Sequence, residues 1–113
     1  MSDTIPIPSE HLEQVRFVSW FRKTQGTRIF AIPNGGGRTT GTGAALKAEG
    51  VTAGVPDLFI PAWNVWVELK RSKGGKVSPE QKDWIEYLGA VGHTVIVGYG
   101  FDDAKAKILA MQK

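Results

Sequence analysis

The sequence contains no cysteine, which excludes disulfide staples, thiolate catalysis and the usual cysteine-built zinc sites. Its two histidines, His11 and His93, are too few for a zinc cage, so a metal here would be a hard cation held on oxygen. No apolar run approaches the roughly 20 residues that a transmembrane helix needs. The N-terminal MSDTIPIPSE lacks a basic segment followed by an apolar one, so no signal peptide is expected and the cytoplasm is the expected compartment. Neither polarity nor charge is extreme: 42% of residues are apolar and 22% charged, which argues against disorder or a collagen-like repeat. A chain of 113 residues is expected to build a single domain, 1–113, with one core.

What is present is unevenly placed. Residues 26–76 carry seven basic side chains against three acidic ones, while the flanking thirds are near balance, and half of the 14 glycines fall between Asn34 and Gly54. A flexible, basic middle segment suggests a polyanionic partner such as nucleic acid.

Ser9 is suited to cap a helix from His11 to Thr24, in which Leu12, Val15, Val18 and Phe21 recur at three-residue steps. Glu10, Glu13, Gln14 and Phe17 share its other side. Arg28 to Ile32 reads as a strand stopped by Pro33, Asn34 to Gly43 as a loop, and Ala44 to Glu49 as a short helix ended by Gly50. Asp57 to Ile60 and then VWVELK form a hairpin turning near Ala62 to Asn64. Ser78-Pro79-Glu80-Gln81 opens a helix to about Leu88. His93 to Tyr99 is an apolar strand, and Asp102 to Met111 a closing helix with Ala104, Ile108 and Met111 as its buried stripe. Trp20 and Trp84 sit at core-compatible positions, His93 reads as structural and His11 as exposed. This order of elements predicts an α/β sandwich with a small mixed sheet.

The hairpin concentrates the chemistry. Residues i and i+2 of a strand share a face, so Glu68 and Lys70 stand on one side of the sheet, while Val67 and Leu69 pack the other; Trp66 lies on the side of Glu68 and Lys70 or on a partner-facing surface. In a hairpin of this length Asp57 returns opposite Glu68, and two carboxylates come within reach of one cation. Such a pair repels unless a proton or metal lies between them, and oxygen ligands suit Mg2+ or Mn2+. Phosphodiester hydrolysis uses such a cluster: the cation polarises the phosphoryl oxygen, and Lys70 orients the attacking water or offsets developing charge. The glycines and Arg38 of the loop from Asn34, together with Lys47, suit contact with a DNA backbone. The turn Arg71-Ser72-Lys73-Gly74-Gly75-Lys76 could grip phosphates beside the cut. The glycine-rich loop has neither a Walker A ending nor a clean G-x-G-x-x-G, so no nucleotide cofactor is expected.

Val55-Pro56-Asp57 followed at eleven residues by Glu68-Leu69-Lys70 resembles the PD-(D/E)XK nuclease signature. Several flanking pieces occur in order: Glu10 with Gln14, Pro33-Asn34-Gly35-Gly36 with Arg38, Leu46-Lys47-x-x-Gly50, GVPDLFIP, VELK, and Ser78-Pro79-x-Gln81. Together they span about residues 9 to 100 and resemble the virus-type replication-repair nuclease (VRR-NUC) domain. The resemblance implies a restriction-endonuclease-like α/β/α core, with a small mixed sheet flanked by helices. It implies Asp57 and Glu68 as metal ligands, the main-chain carbonyl of Leu69 as a third, and Lys70 as the catalytic lysine. An acid on the first helix would complete the site, Glu10 or Glu13, with the spacing to Gln14 favouring Glu10. Gln81 would lie near the scissile phosphate. It further implies a homodimer cutting branched DNA, chiefly four-way (Holliday) junctions, in a DNA-repair setting, with a viral or prophage origin. Two rival readings use the same residues otherwise: a DNA-binding module with a decayed site, and an assembly protein using its apolar hairpin for contact.

Overall fold

The computed structural model describes residues 6–33 and 40–112. Four strands form one mixed sheet in the order β1-β2-β3-β4: β1 (Phe30–Ala31), β2 (Leu58–Ile60), β3 (Val65–Lys70) and β4 (Thr94–Tyr99). β2 runs antiparallel to both β1 and β3, and β4 runs parallel to β3. A parallel pair needs a crossover, supplied here by α3 (Pro79–Ala90); α1 (Glu10–Thr24), α2 (Thr40–Ala48) and α4 (Phe101–Met111) complete the fold. The predicted α/β class and element order hold, with ends moved by a few residues. The first strand shrinks to two residues, and α2 begins at Thr40 inside the stretch expected to be loop.

Helices α1 and α4 pack on each other and on β3, and the core lies between them and the sheet. Phe17 and Phe21 of α1, Val67 and Leu69 of β3 and Ile108 of α4 are fully buried there. Trp20 packs at its margin, its ring 5.8 Å from that of Phe17. Trp84 is only half-buried, edge-on to Tyr87. Two expected apolar stripes are corrected. Leu12 and Val15 are 39% and 49% exposed, and of that stripe Phe21 is buried and Val18 packs partly against the core, whereas Glu13 and Phe17 from the opposite side of α1 are buried with Phe21. Two phenylalanines bury more area than two small aliphatics, and they set the rotation of the helix. Met111 is 42% exposed because α4 ends as it leaves the core, whereas Ala104 and Ile108 are buried as expected.

Local signals account for the helix starts. Ser9 accepts from the Leu12 N–H at 3.1 Å. Ser78 and Gln81 form a reciprocal capping box behind Pro79, which satisfies two otherwise unpaired amides. The hairpin turns through Pro61–Trp63 and a left-handed Asn64, φ 59°. Among the described residues no helix is long and apolar enough to cross a membrane.

Candidate active site

The β2/β3 register pairs Leu58 with Val67, which carries Asp57, one residue before β2, to the position opposite Glu68. The Leu69 N–H donates to Asp57 Oδ2 at 3.0 Å, fixing that carboxylate on the strand end. Glu10, the first residue of α1, approaches the same point. One carboxylate oxygen from each of Glu10, Asp57 and Glu68 lies within 4.8 Å of the others.

Glu68 and Lys70 are nearly removed from solvent, at 1% and 7% exposure. Lys70 Nζ lies 3.4 Å from Glu68 Oε2, and Gln81 Nε2 donates to that same oxygen at 2.8 Å. Oε1 of Glu68 is buried without a hydrogen-bond partner. A buried acceptor without a donor is costly and rare, and here it belongs to a carboxylate that converges with two others. Burial first, then the Asp57 carboxylate, pushes the Glu68 carboxyl up to about 8 against the pull of Lys70. Glu10 is raised as well, again chiefly by burial, with Lys70 opposing and Asp57 adding to the rise. Three converging carboxylate oxygens, with a buried oxygen of one of these residues unsatisfied, fit a hard divalent cation such as Mg2+ or Mn2+.

A solved structure described as a VRR_NUC domain protein aligns with this chain at a TM-score of 0.74 and 27% sequence identity, covering 92% of this chain and 88% of the other. The chain has the fold of a VRR-NUC domain. No family model and no curated protein matches it.

In this VRR-NUC fold, α3 serves the site through its first turn. Gln81 Oε1 accepts from the Ser78 N–H at 2.8 Å, so the capping box fixes the amide and leaves its NH2 pointing at Glu68. The segment leading into Asp57 rests on the same turn. Gly54 has φ +94°, and a Cβ there would fall 2.6 Å from the Glu80 carbonyl, so only glycine permits that approach. Behind the strand, the turn after Lys70 closes over it: a Cβ at Gly75 would lie 2.9 Å from Lys70 Cβ.

The remaining sequence-predicted residues divide clearly. Glu13 is not in the cluster; its Oε1 accepts from the Phe101 N–H at 2.9 Å, at the start of α4. Leu69 meets the site through the N–H just described. Lys47 is exposed on α2, and Arg71, Lys73 and Lys76 are exposed on the turn after β3. Asn34, Gly35, Gly36 and Arg38 lie outside the described residues. Sequence reasoning missed Gly54 and Gly75, whose roles depend on contacts to other elements, and it read Ser78 only as a helix cap. His93 accepts from Trp66 Nε1–H at 2.9 Å, and His11 is exposed on α1.

Proposed function

We propose that this domain is a metal-dependent DNA endonuclease of the PD-(D/E)XK type that hydrolyses phosphodiester bonds in branched DNA, chiefly four-way junctions, as a homodimer. The observation that carries the reading is the unpaired Oε1 of buried Glu68, set among the carboxylates of Glu10 and Asp57 beside Lys70. The VRR_NUC neighbour points to the same chemistry. A structural strand pair would leave no buried oxygen without a donor, and a binding surface would gain nothing from three converging acids that repel phosphate.

Glu10, Asp57 and Glu68 would hold the cation, with the Leu69 carbonyl as a further ligand. When bound, the cation supplies Lewis-acid polarisation of the phosphoryl oxygen and acidifies water. Lys70, anchored on Glu68 Oε2, places a fixed positive charge where negative charge grows as water oxygen bonds to phosphorus and the ester oxygen departs. Gln81 holds Glu68 from the other side, so the ligand does not rotate as charge shifts. Lys47, Arg71, Lys73 and Lys76, with Asn34, Gly35, Gly36 and Arg38, would meet the DNA backbone. Symmetric incision of a junction needs two sites related by a two-fold axis, and each chain carries one, which supports the dimer.

The test is cleavage of end-labelled four-way junction, flap and linear duplex with Mg2+, Mn2+ or chelator, in wild type, Asp57→Asn and Lys70→Ala. Metal-dependent, paired incisions in the junction that both substitutions abolish are expected. Junction binding without cutting under any cation would instead favour a decayed-site binding module.

A further inference from the structure

A row of aromatic rings crosses the sheet beside the carboxylates. Phe30 pairs with Phe59 and Phe59 with Trp66 in the strand register, and consecutive ring centroids are 5.9 and 4.3 Å apart. Trp66 and Glu68 are two residues apart on β3, so the row lies on the face of Glu68 and Lys70, about 7 Å along the strand. Phe30, at the open edge of the sheet, is 46% exposed, and Phe59 and Trp66 are half-buried. A row of aromatic rings that ends in an exposed phenylalanine at a sheet edge is unusual for a surface that meets only water.

The charge beyond the row identifies the occupant. Round that edge, on the other face of the sheet, Phe30 also lines a groove of about 600 Å³ between α1 and β1, where Arg22 and Lys23 are the charged side chains and no carboxylate among the described residues takes part. A second copy docked across a two-fold axis would bring these cations to a lining that offers no acid in return. A single nucleic-acid strand satisfies both features, its bases on the rings and its phosphates on the cations.

We propose that Phe30, Phe59 and Trp66 form a stacking platform for unpaired bases next to the scissile phosphate, and that the strand continues past Phe30 toward Arg22 and Lys23. This deepens the nuclease reading and rests on it: the platform would select DNA with unpaired bases near the cut over intact duplex.

The test uses fluorescence anisotropy with labelled oligothymidylate and blunt duplex in chelator, alongside tryptophan emission. Phe30→Ser is expected to weaken single-strand binding about tenfold and duplex binding less than about twofold. Phe30→Leu, which keeps the apolar volume without the π face, should show the same selectivity if serine disturbs folding. Oligothymidylate should quench the emission of wild type, and Trp66→Phe should remove most of that quench. Equal loss of single-strand and duplex binding, no loss in either Phe30 variant, or a quench that survives in Trp66→Phe would overturn the platform. So would sedimentation showing that Phe30→Ser turns a dimer into a monomer at unchanged single-strand affinity, which would assign the row to contact between copies. Cleavage separates the two readings. A wild type that binds single strands selectively yet cuts nothing under any cation refutes the nuclease and keeps the platform. Metal-dependent cutting with unchanged substrate preference in Phe30→Ser refutes the platform alone.

Discussion

Glu13 and Glu68 are both carboxylates taken out of water, at 4% and 1% exposure, and they reach burial by opposite routes. Glu13 sits at the positive end of α4 and accepts from the Phe101 N–H, so its charge serves an otherwise unpaired amide and a helix dipole. Glu68 has two donors on one oxygen and none on the other, faces Asp57 across the hairpin, and titrates at about 8. The first carboxylate is paid for by the fold. The second makes sense with a cation beside it. Burial of an acid is therefore a poor marker of a site, and the count of its unmet bonds is a better one.

The largest expected effect breaks the two apart by activity. Glu68→Gln keeps size and hydrogen-bonding reach but removes the ligand charge, and cleavage is expected to fall by about two to four orders of magnitude, with metal-free stability unchanged or raised. Glu13→Gln is expected to do the reverse, costing about 1–3 kcal/mol of stability in denaturant unfolding while the folded fraction still cuts. Loss of cleavage in Glu13→Gln at full stability would place Glu13 in the site after all.

Gly54→Ala sharpens the comparison from the side of α3. The positive φ and the approach to the Glu80 backbone make it destabilising by about 1–3 kcal/mol, and cleavage should fall with it, because the loop that ends in Asp57 must move away from the turn that holds Gln81. A smaller effect is expected for Ser78→Ala, about 1 kcal/mol for the lost cap. It should also weaken divalent-cation binding, since freeing Gln81 loosens its hold on Glu68. A cap that acted on the helix alone would leave cation affinity untouched.

A separate effect is a pH dependence of melting without metal. Glu68 titrates in the folded protein near 8, above its ordinary 4.5, so the folded state holds a proton that the unfolded chain releases. This contribution to stability is full below about 4.5 and is lost as pH rises through about 8. Divalent cation should reverse the trend, raising the melting temperature more at pH 8 than at pH 5, because binding displaces that proton. Glu68→Gln should flatten both dependences.

The local parts of this account were legible in the sequence. The capping box at Ser78 and Gln81, the hairpin that returns Asp57 to Glu68, and the shared face of Glu68 and Lys70 all follow from short spacings. The rotation of α1 did not, because steps of three lead to Phe21 from Leu12, Val15 and Val18 as well as steps of four lead to it from Glu13 and Phe17, and only packing against α4 and the sheet decides. For the same reason Glu10 and Glu13 could not be separated: they lie in one helical turn, and what divides them is the start of α4, 88 residues from Glu13 in sequence. Gly54 and the aromatic row are likewise products of contacts between distant segments.

The most direct test of the central claim is calorimetric titration of Mn2+ into metal-free protein at pH 7, in two buffers of different ionisation enthalpy, for wild type, Glu68→Gln and Glu13→Gln. The account predicts binding to wild type with release of about one proton, binding preserved in Glu13→Gln, and binding lost or greatly weakened in Glu68→Gln. Absence of binding to wild type, or equal affinity in wild type and Glu68→Gln, would contradict it.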